Sequence, residues 1–401
     1  MLGRYRLNGD DVDSLELKAL VVTRGVNISP LVFERFSGSH RVSPPGDPTA
    51  CDCFLLPDGS VVHAANVGER SPFALGVGED GKPVLKYAGR DLTQVELPPA
   101  TAFYEQRTSS DVPFKGTAVL QGLDVLSFFY LWPCDYAKAG FACQFCNAGG
   151  YTQALAAAGK ALSPSPSARD VAEIVDYAVN REPVASYVQI TGGSSMDSKA
   201  EVGKVVEMLR EIDRVAGLGN VEGEILVYTS PPADPAIIAD VFDAGADRVA
   251  CDIEVWNPNY AARITPGKWR FAGRERQLAT LEFIAERYGP NRACSAFVVG
   301  VEPADSFLEG ARYLGERGIV PIASVWLPHG RPVEGKAEAP GLDFYRKVID
   351  GLAEIYDRYG CEPPGDAGFN VCLCRDTWRH RRKRRRCSCS GSGSPGAGQS
   401  W

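Results

Sequence analysis

Apolar and polar positions follow two different rhythms along the 401 residues. From about residue 16 to 100 the rhythm is that of strands and hairpins: LELKALVVTRGVNI, then CDCFLL and VVHAANV flanking Pro57-Asp58-Gly59-Ser60, then FALGV and PVLKYAG around Glu79-Asp80-Gly81-Lys82. Turn residues between β-branched runs predict hairpins, so residues 1–118 are read as a β-rich N-terminal domain. After about residue 120, short β-branched or apolar runs at 125–131, 186–191, 223–229, 248–254, 294–300 and 319–326 alternate with amphipathic stretches such as AEVGKVVEMLREIDRVAG and RERQLATLEFIAERYG. Several of these open at Asp or Ser and close at Gly, which is cap chemistry. Six strands each followed by a helix predict an α/β fold, a partial (βα)6 TIM-like barrel over 119–335 or a doubly wound sheet. Either places ligands at the C-terminal strand ends. GLDFYRKVIDGLAEIYDRYG predicts one more helix within a C-terminal helical extension, 336–375. Residues 376–401, with RHRRKRRR and a Ser/Gly-rich end, have no apolar periodicity and read as a disordered basic low-complexity tail that a truncation before Asp376 should remove harmlessly.

Composition, at 44% hydrophobic and 23% charged, is that of a globular chain and argues against wholesale disorder. No apolar run approaches the roughly 18 residues of a membrane span, and MLGRYRLNGDDVDS lacks the basic-then-apolar order of a signal peptide. The expectation is a cytoplasmic protein without a membrane partner. The net charge of −7 hides an asymmetry: residues 375–401 carry eight Lys/Arg and one acid, which leaves 35 bases against 49 acids elsewhere. An acidic body repels polyanions, so nucleic-acid binding would rest on the tail alone and is not expected.

Twelve cysteines in a reducing compartment point to metal ligation or thiol chemistry. The informative segment is Trp132-Pro133-Cys134 through Cys143-Gln144-Phe145-Cys146, a C-x8-C-x2-C array in the loop after the first barrel strand. Three thiolates leave one position open, whether at a zinc ion or on a four-iron cluster. His329, after the sixth strand, is a possible fourth zinc ligand or substrate contact. Cys251 and Cys294 fall within strands and read as core, whereas Cys361, Cys372, Cys374, Cys387 and Cys389 could hold an auxiliary cluster. Gly76-Val77-Gly78-Glu79-Asp80-Gly81 matches a dinucleotide fingerprint but is followed by a strand, so it is rejected.

Over about residues 120–330 the chain resembles the radical S-adenosylmethionine (radical SAM) enzymes, through the three-cysteine loop, Phe145 before the third cysteine, and Thr191-Gly192-Gly193-Ser194 ending the second strand. The resemblance implies that Cys134, Cys143 and Cys146 hold a 4Fe-4S cluster whose fourth iron is chelated by S-adenosylmethionine. It implies cofactor contacts at Phe145, Gly192, Gly193 and Ser194, at Ser230 after Tyr228-Thr229, at Glu254, and at Val298 and Gly300 beside the adenine. Gly193 is expected to admit the methionine end of the cofactor. The chain departs from the commonest C-x3-C-x2-C spacing, and Ser194 stands where Glu often follows the glycines, a charge Asp197 could supply. The activity implied is reductive cleavage of S-adenosylmethionine to a 5'-deoxyadenosyl radical that abstracts hydrogen from a substrate the residues do not identify. A one-electron donor such as flavodoxin or ferredoxin would be the partner. The residues alone also allow a zinc-dependent barrel hydrolase on the same thiols, or a non-catalytic metal-binding adaptor.

Overall fold

The computed structural model describes residues 3–36, 51–146, 166–328, 332–336, 338–365 and 372–380. Strands Arg4–Leu7 (β1) and Asp10–Asp13 (β2) pair antiparallel. The next segment, expected as a strand through LELKALVVTRGVNI, is instead a helix over Ser14–Arg24. Asp13 decides this: its carboxylate accepts from the Leu15 and Glu16 N–H groups, and the Glu16 side chain accepts from the Asp13 N–H, forming a capping box. Nine of the helix's 11 residues are buried, so its near-continuous apolar run reflects burial on all sides. Asn27–Ile28 (β3), Cys51–Leu55 (β4), Val61–Ala65 (β5), Phe73–Val77 (β6), Pro83–Tyr87 (β7) and Arg90–Gln94 (β8) follow, with β4 and β5 pairing as a hairpin and β3-β6-β7-β8 forming a four-stranded sheet. The rejected dinucleotide fingerprint occupies the end of β6 and the β6–β7 turn.

The central sheet has seven strands. Ala118–Gln121 (β9) runs antiparallel to Val125–Leu131 (β10), after which Tyr187–Gly192 (β11), Ile225–Tyr228 (β12), Arg248–Ala250 (β13), Ala293–Val299 (β14) and Val320–Val325 (β15) continue in parallel, in chain order. Helices including Ala168–Asp176, Ser198–Val215, Arg274–Tyr288 and Ala304–Gly315 connect them, giving an α/β half-barrel, the partial TIM-like barrel expected. The pairing registers put Phe128, Ile190, Val227, Val249 and Phe297 on one face. Phe297 there meets Phe307 of a covering helix at 5.4 Å between ring centroids. The opposite face carries Ser127, Phe129, Gln189, Thr191, Tyr228, Ala296 and Val298. That mixture of polar and aromatic groups is what a ligand-receiving interior needs and a sealed core avoids.

The helix Ser14–Arg24 and residues 372–380 meet beside the edge strand β15. After the helix Leu342–Tyr359, Cys372 bridges antiparallel to Ser324, and the Leu373 N–H donates to the Ala323 carbonyl at 2.9 Å. Cys372 and Cys374 are joined by a disulfide, which removes two of the five cysteines considered for an auxiliary cluster. Cys361 is a buried free thiol, and Cys387 and Cys389 lie outside the described residues. Residues 374–380 are helical, with Asp376, Thr377 and His380 buried. Asp376 accepts from Lys18 Nζ at 2.5 Å inside the protein, and His380 Nε2 lies 3.4 Å from Ser60 Oγ and 3.5 Å from Asp58. The expected tail is therefore corrected over 376–380, where Asp376 and His380 are buried against partners far away in sequence; residues 381–401 lie outside the described residues.

Two outcomes are expected. Asp376→Ala, or truncation before Asp376, strands the Lys18 ammonium in the interior and should lower stability by about 3–5 kcal/mol, measured as an earlier urea midpoint; equal midpoints would count against the pairing. Burial, and then the Lys18 charge, push the His63 imidazole down to about 4 from its usual 6.5. Between those values the unfolded chain binds the extra proton, so stability rises with pH there and is lost as pH falls. Wild type should lose on the order of 2–3 kcal/mol more than His63→Gln between pH 6.5 and 4, and parallel pH–stability curves would contradict this.

Candidate active site

The cysteine loop leaves the C-terminal end of β10 and is held from three sides. Toward β11, the Asp135 N–H donates to the Ser194 carbonyl and the Gly193 N–H to the Leu131 carbonyl, each at 2.9 Å. Asp135 in turn accepts from Ser195 Oγ at 3.3 Å and the Met196 N–H at 3.2 Å. On a second side the Gln144 N–H donates to the Ile264 carbonyl, while its side chain donates to the Arg263 carbonyl and accepts from the Glu334 N–H. On the third, Tyr136 and Phe141 pack on Phe271 at 5.2 and 5.3 Å. Cys134, Cys143 and Cys146 are in no disulfide, and each is partly exposed. Burial pushes the Cys143 thiol up, Lys268 opposes this, and Glu254, Cys146 and Cys134 add to it, so the three sulfurs share one electrostatic site.

Gly193 has a structural task of its own. A Cβ at this position would lie 2.5 Å from both Cα and Cβ of Cys134, so the missing side chain makes room for the cysteine loop itself. Gly192 packs similarly under Tyr130. Ser194 contributes its carbonyl, which also lies 3.6 Å from Cys134 Sγ.

A buried carboxylate does stand close to these glycines: Glu201, which carries no motif signal in the sequence. It is 4% exposed and accepts from Tyr130 Oη at 2.6 Å, the Ser230 N–H at 2.6 Å and the Ser195 N–H at 3.1 Å. It thereby ties together the ends of β10, β11 and β12, and burial raises its pKa. Asp197, expected to supply that charge, is the N-cap of the helix Ser198–Val215 and accepts from the Lys199 and Ala200 N–H groups. Ser230 is buried beside Glu201 and lines a cavity of about 140 Å³ with Tyr136, Ser195, Met196, Phe271 and Arg276.

Glu254, beyond β13, adopts φ of +67°, a left-handed conformation uncommon for a residue with a side chain. Its carboxylate accepts from Lys268 Nζ at 2.7 Å, and Lys268 also donates to the Asp252 carbonyl at 3.1 Å. Burial works against the Lys268 charge, but Glu254, Asp252 and Cys143 outweigh it and raise the pKa. Asp252 is raised by burial and by Glu254, against the pull of Lys268. Phe145 and Val298 pack on a small apolar cluster of Val255, Ile264, Val301 and Trp326. Gly300, at φ of +114°, turns the chain beside it. His329 lies outside the described residues, Cys251 and Cys294 are fully buried core thiols, and among the described residues no three His, Cys, Asp or Glu side chains stand close enough to hold one metal ion. A zinc site requires such donors about one point at ~2.3 Å, whereas a four-iron cube takes one thiolate on each of three irons.

Comparison with known proteins bears on the class. Residues 138–320, a stretch that covers most of this half-barrel, match the model of the Radical SAM superfamily, enzymes whose cofactors are a 4Fe-4S cluster and S-adenosylmethionine. The match includes Cys143 and Cys146 and begins four residues after Cys134. The chain is 24% identical over 280 residues to the bacteriochlorophyllide c C-7(1)-hydroxylase of Chlorobaculum limnaeum, covering 68% of this chain and 69% of that one. Among solved structures it is similar to HydG, a maturase of the [FeFe]-hydrogenase, with TM-score 0.42, 11% identity and coverage of 59% of this chain and 50% of that chain. It is also similar to methylornithine synthase (PylB), with TM-score 0.41, 16% identity and coverage of 59% and 62% respectively. Thus the chain spans about half of HydG. Among the described residues no helix is long and apolar enough to cross a membrane.

Because Gly193 abuts backbone atoms of Cys134 that cannot swing away, Gly193→Val should lose most of the iron and sulfide taken up on reconstitution. Gly203→Ala, where a Cβ meets nothing within 4 Å on the helix Ser198–Val215, should keep both. Full cluster uptake by the Gly193→Val protein would return Gly193 to the cofactor-admitting role.

Proposed function

We propose that Cys134, Cys143 and Cys146 each bind one iron of a 4Fe-4S cluster, leaving the fourth iron to S-adenosylmethionine, and that the enzyme abstracts hydrogen from a substrate received on the concave face of the barrel. The observation that carries this is the fastening of one three-thiol loop to the strand ends by the β11 turn, the Gln144 bonds and the Tyr136–Phe271 packing. When bound, the reduced cluster would supply one electron to the sulfonium of S-adenosylmethionine, whose S–C5' bond would break to give methionine and a 5'-deoxyadenosyl radical. The chain's part is to place and enclose them. The cavity lined by Tyr136, Ser195, Ser230 and Arg276 opens beside the loop and offers hydroxyls and a guanidinium to the polar methionine end. Phe145 and Val298 offer an apolar flank to the adenine. Glu254 is already engaged by Lys268, so its role toward the cofactor is through that pair. On the concave face Phe129 is 43% exposed and packs its ring 5.5 Å from that of Trp132, two residues before Cys134. An aromatic pair beside the loop suits a substrate with an apolar face and keeps water from a reactive carbon radical. The tetrapyrrole-acting name of the Chlorobaculum relative is compatible with such a substrate.

The test is anaerobic reconstitution with iron and sulfide, then dithionite and S-adenosylmethionine, with chromatographic assay of 5'-deoxyadenosine. Cys134→Ala, Cys143→Ala and Cys146→Ala should each lower its formation by roughly a hundredfold or more, whereas Cys51→Ala and Cys53→Ala, on the β4 hairpin strand, should leave it within about twofold. Protein that carries stoichiometric zinc, takes up no sulfide and cleaves no cofactor would overturn the proposal.

A further inference from the structure

The two edges of the central sheet are treated differently. Residues 372 and 373 cover the edge of β15, whereas β9, at the opposite edge, has β10 as its one strand neighbour among the described residues. On that side the pairing registers fix what the concave face presents. Val119 of β9 stands opposite Ser127 of β10, and Ser127 stands opposite Gln189 of β11, so the three share one row. Two residues further along β10, Phe129 stands opposite Thr191. Five large apolar side chains are exposed among the described residues, and two of them, Val119 at 36% and Phe129 at 43%, lie together in this patch. Trp132, its ring 5.5 Å from that of Phe129, extends the apolar surface to within two residues of Cys134. Apolar side chains left open to water side by side favour a ligand that covers them.

A second, independent observation on the same face is polar. Gln189 is 8% exposed, yet among the described residues its side-chain carbonyl oxygen has no hydrogen-bond partner. A buried acceptor left unpaired carries the desolvation cost of that group. None of Val119, Ser127, Phe129, Gln189 and Thr191 is charged. The patch thus combines an apolar surface with one unsatisfied acceptor, which suits a neutral ligand that brings a donor. Its dimensions set a size: with strands about 4.8 Å apart and a rise of about 3.3 Å per residue, Phe129 and Gln189 lie diagonally roughly 8 Å apart, a separation that suits two or more fused rings.

We propose that the part of the substrate held on β9 to β11 is a flat, neutral system of two or more fused rings, which lies on Val119, Phe129 and Trp132 and donates a ring N–H or a hydroxyl to Gln189 Oε1. This rests on the reading of the concave face as the substrate site and names the chemistry that the site selects. Gln189 is then a specificity residue, because a ring system of the same shape without the donor leaves the acceptor unpaired.

The experiment measures binding to the reconstituted full-length protein by equilibrium dialysis, with two probes that differ in one donor: 2-naphthol, whose hydroxyl donates, and 2-methoxynaphthalene, which has none. Wild type should bind 2-naphthol about tenfold more tightly, the effect of one hydrogen bond to a buried group. Gln189→Met should bring the two probes within about twofold by loss of 2-naphthol affinity. Phe129→Ala should weaken both about equally and keep the preference. Leu31→Ser, which removes an exposed side chain on the helix Pro30–Arg35, should change neither. Equal binding of the two probes by wild type, binding of neither, or a preference that survives Gln189→Met would overturn the inference. If Gln189→Met does not fold by circular dichroism, the wild-type preference and its retention in Phe129→Ala decide. Binding indifferent to Phe129→Ala would instead remove the concave face as the site, and the inference with it. The measurement involves no radical chemistry, so failure of the cluster assignment is read separately, as no sulfide uptake and no 5'-deoxyadenosine.

Discussion

The approach of two backbones, at Gly193 and Cys134, is the constraint from which the rest of the site follows. A loop carrying three thiols is long and polar, and nothing within it fixes where its sulfurs point. Here the first of them is set by contact with the turn after the neighbouring strand, where the absence of a single Cβ allows Cys134 to lie directly on Gly193. Once that contact exists, the Asp135 and Gly193 N–H bonds close around it and the one-turn helix Asp135–Lys138 can start. Phe141, Gln144 and Phe145 then reach the turn and helix beyond β13. The second and third thiols inherit their location from the first.

Around that contact the protein spends three carboxylates and one ammonium in places where charge is costly. Glu201 is tolerable because it accepts three hydrogen bonds, two of them from N–H groups at strand ends that would otherwise lack partners. Asp252 accepts from the Ala296 N–H, and Glu254 and Lys268 satisfy one another. These groups span the ends of β10 to β14, so the top of the barrel is cross-braced by polar contacts while its strands are held by apolar packing on the helix side. The two kinds of interaction are separated in space, which lets the upper rim be polar enough for a charged cofactor without weakening the core beneath it.

The parts of this arrangement visible in the sequence are the local ones. The six barrel strands announce themselves as β-branched runs, and Val125–Leu131 falls on the residues expected. The cysteine triad is legible because its members are close along the chain and sit at the strand end where half-barrels bind ligands. Glu201 was missed because the pattern sought a carboxylate next to the glycines, whereas a helix beginning at Ser198 brings one in from further on. The Lys268–Glu254 pair carries no spacing signal, since Gly267 and a short π-turn bring the two together. The strand expected at LELKALVVTRGVNI failed because a helix buried on every side has lost the amphipathic period. Asp376 was assigned to a tail because its partner, Lys18, is 358 residues away.

That last separation has a consequence for how the molecule is made. A chain emerging from the ribosome folds from its beginning, and the helix Ser14–Arg24 carries an ammonium destined for the interior long before its counter-charge exists. The exposed edge of β15 likewise waits for residues 372 and 373 to cover it. Nascent or cleaved chains lacking this segment would display an open sheet edge next to an unneutralised cation. Because the segment that covers this edge and neutralises Lys18 follows both along the chain, its synthesis is a condition for hiding them.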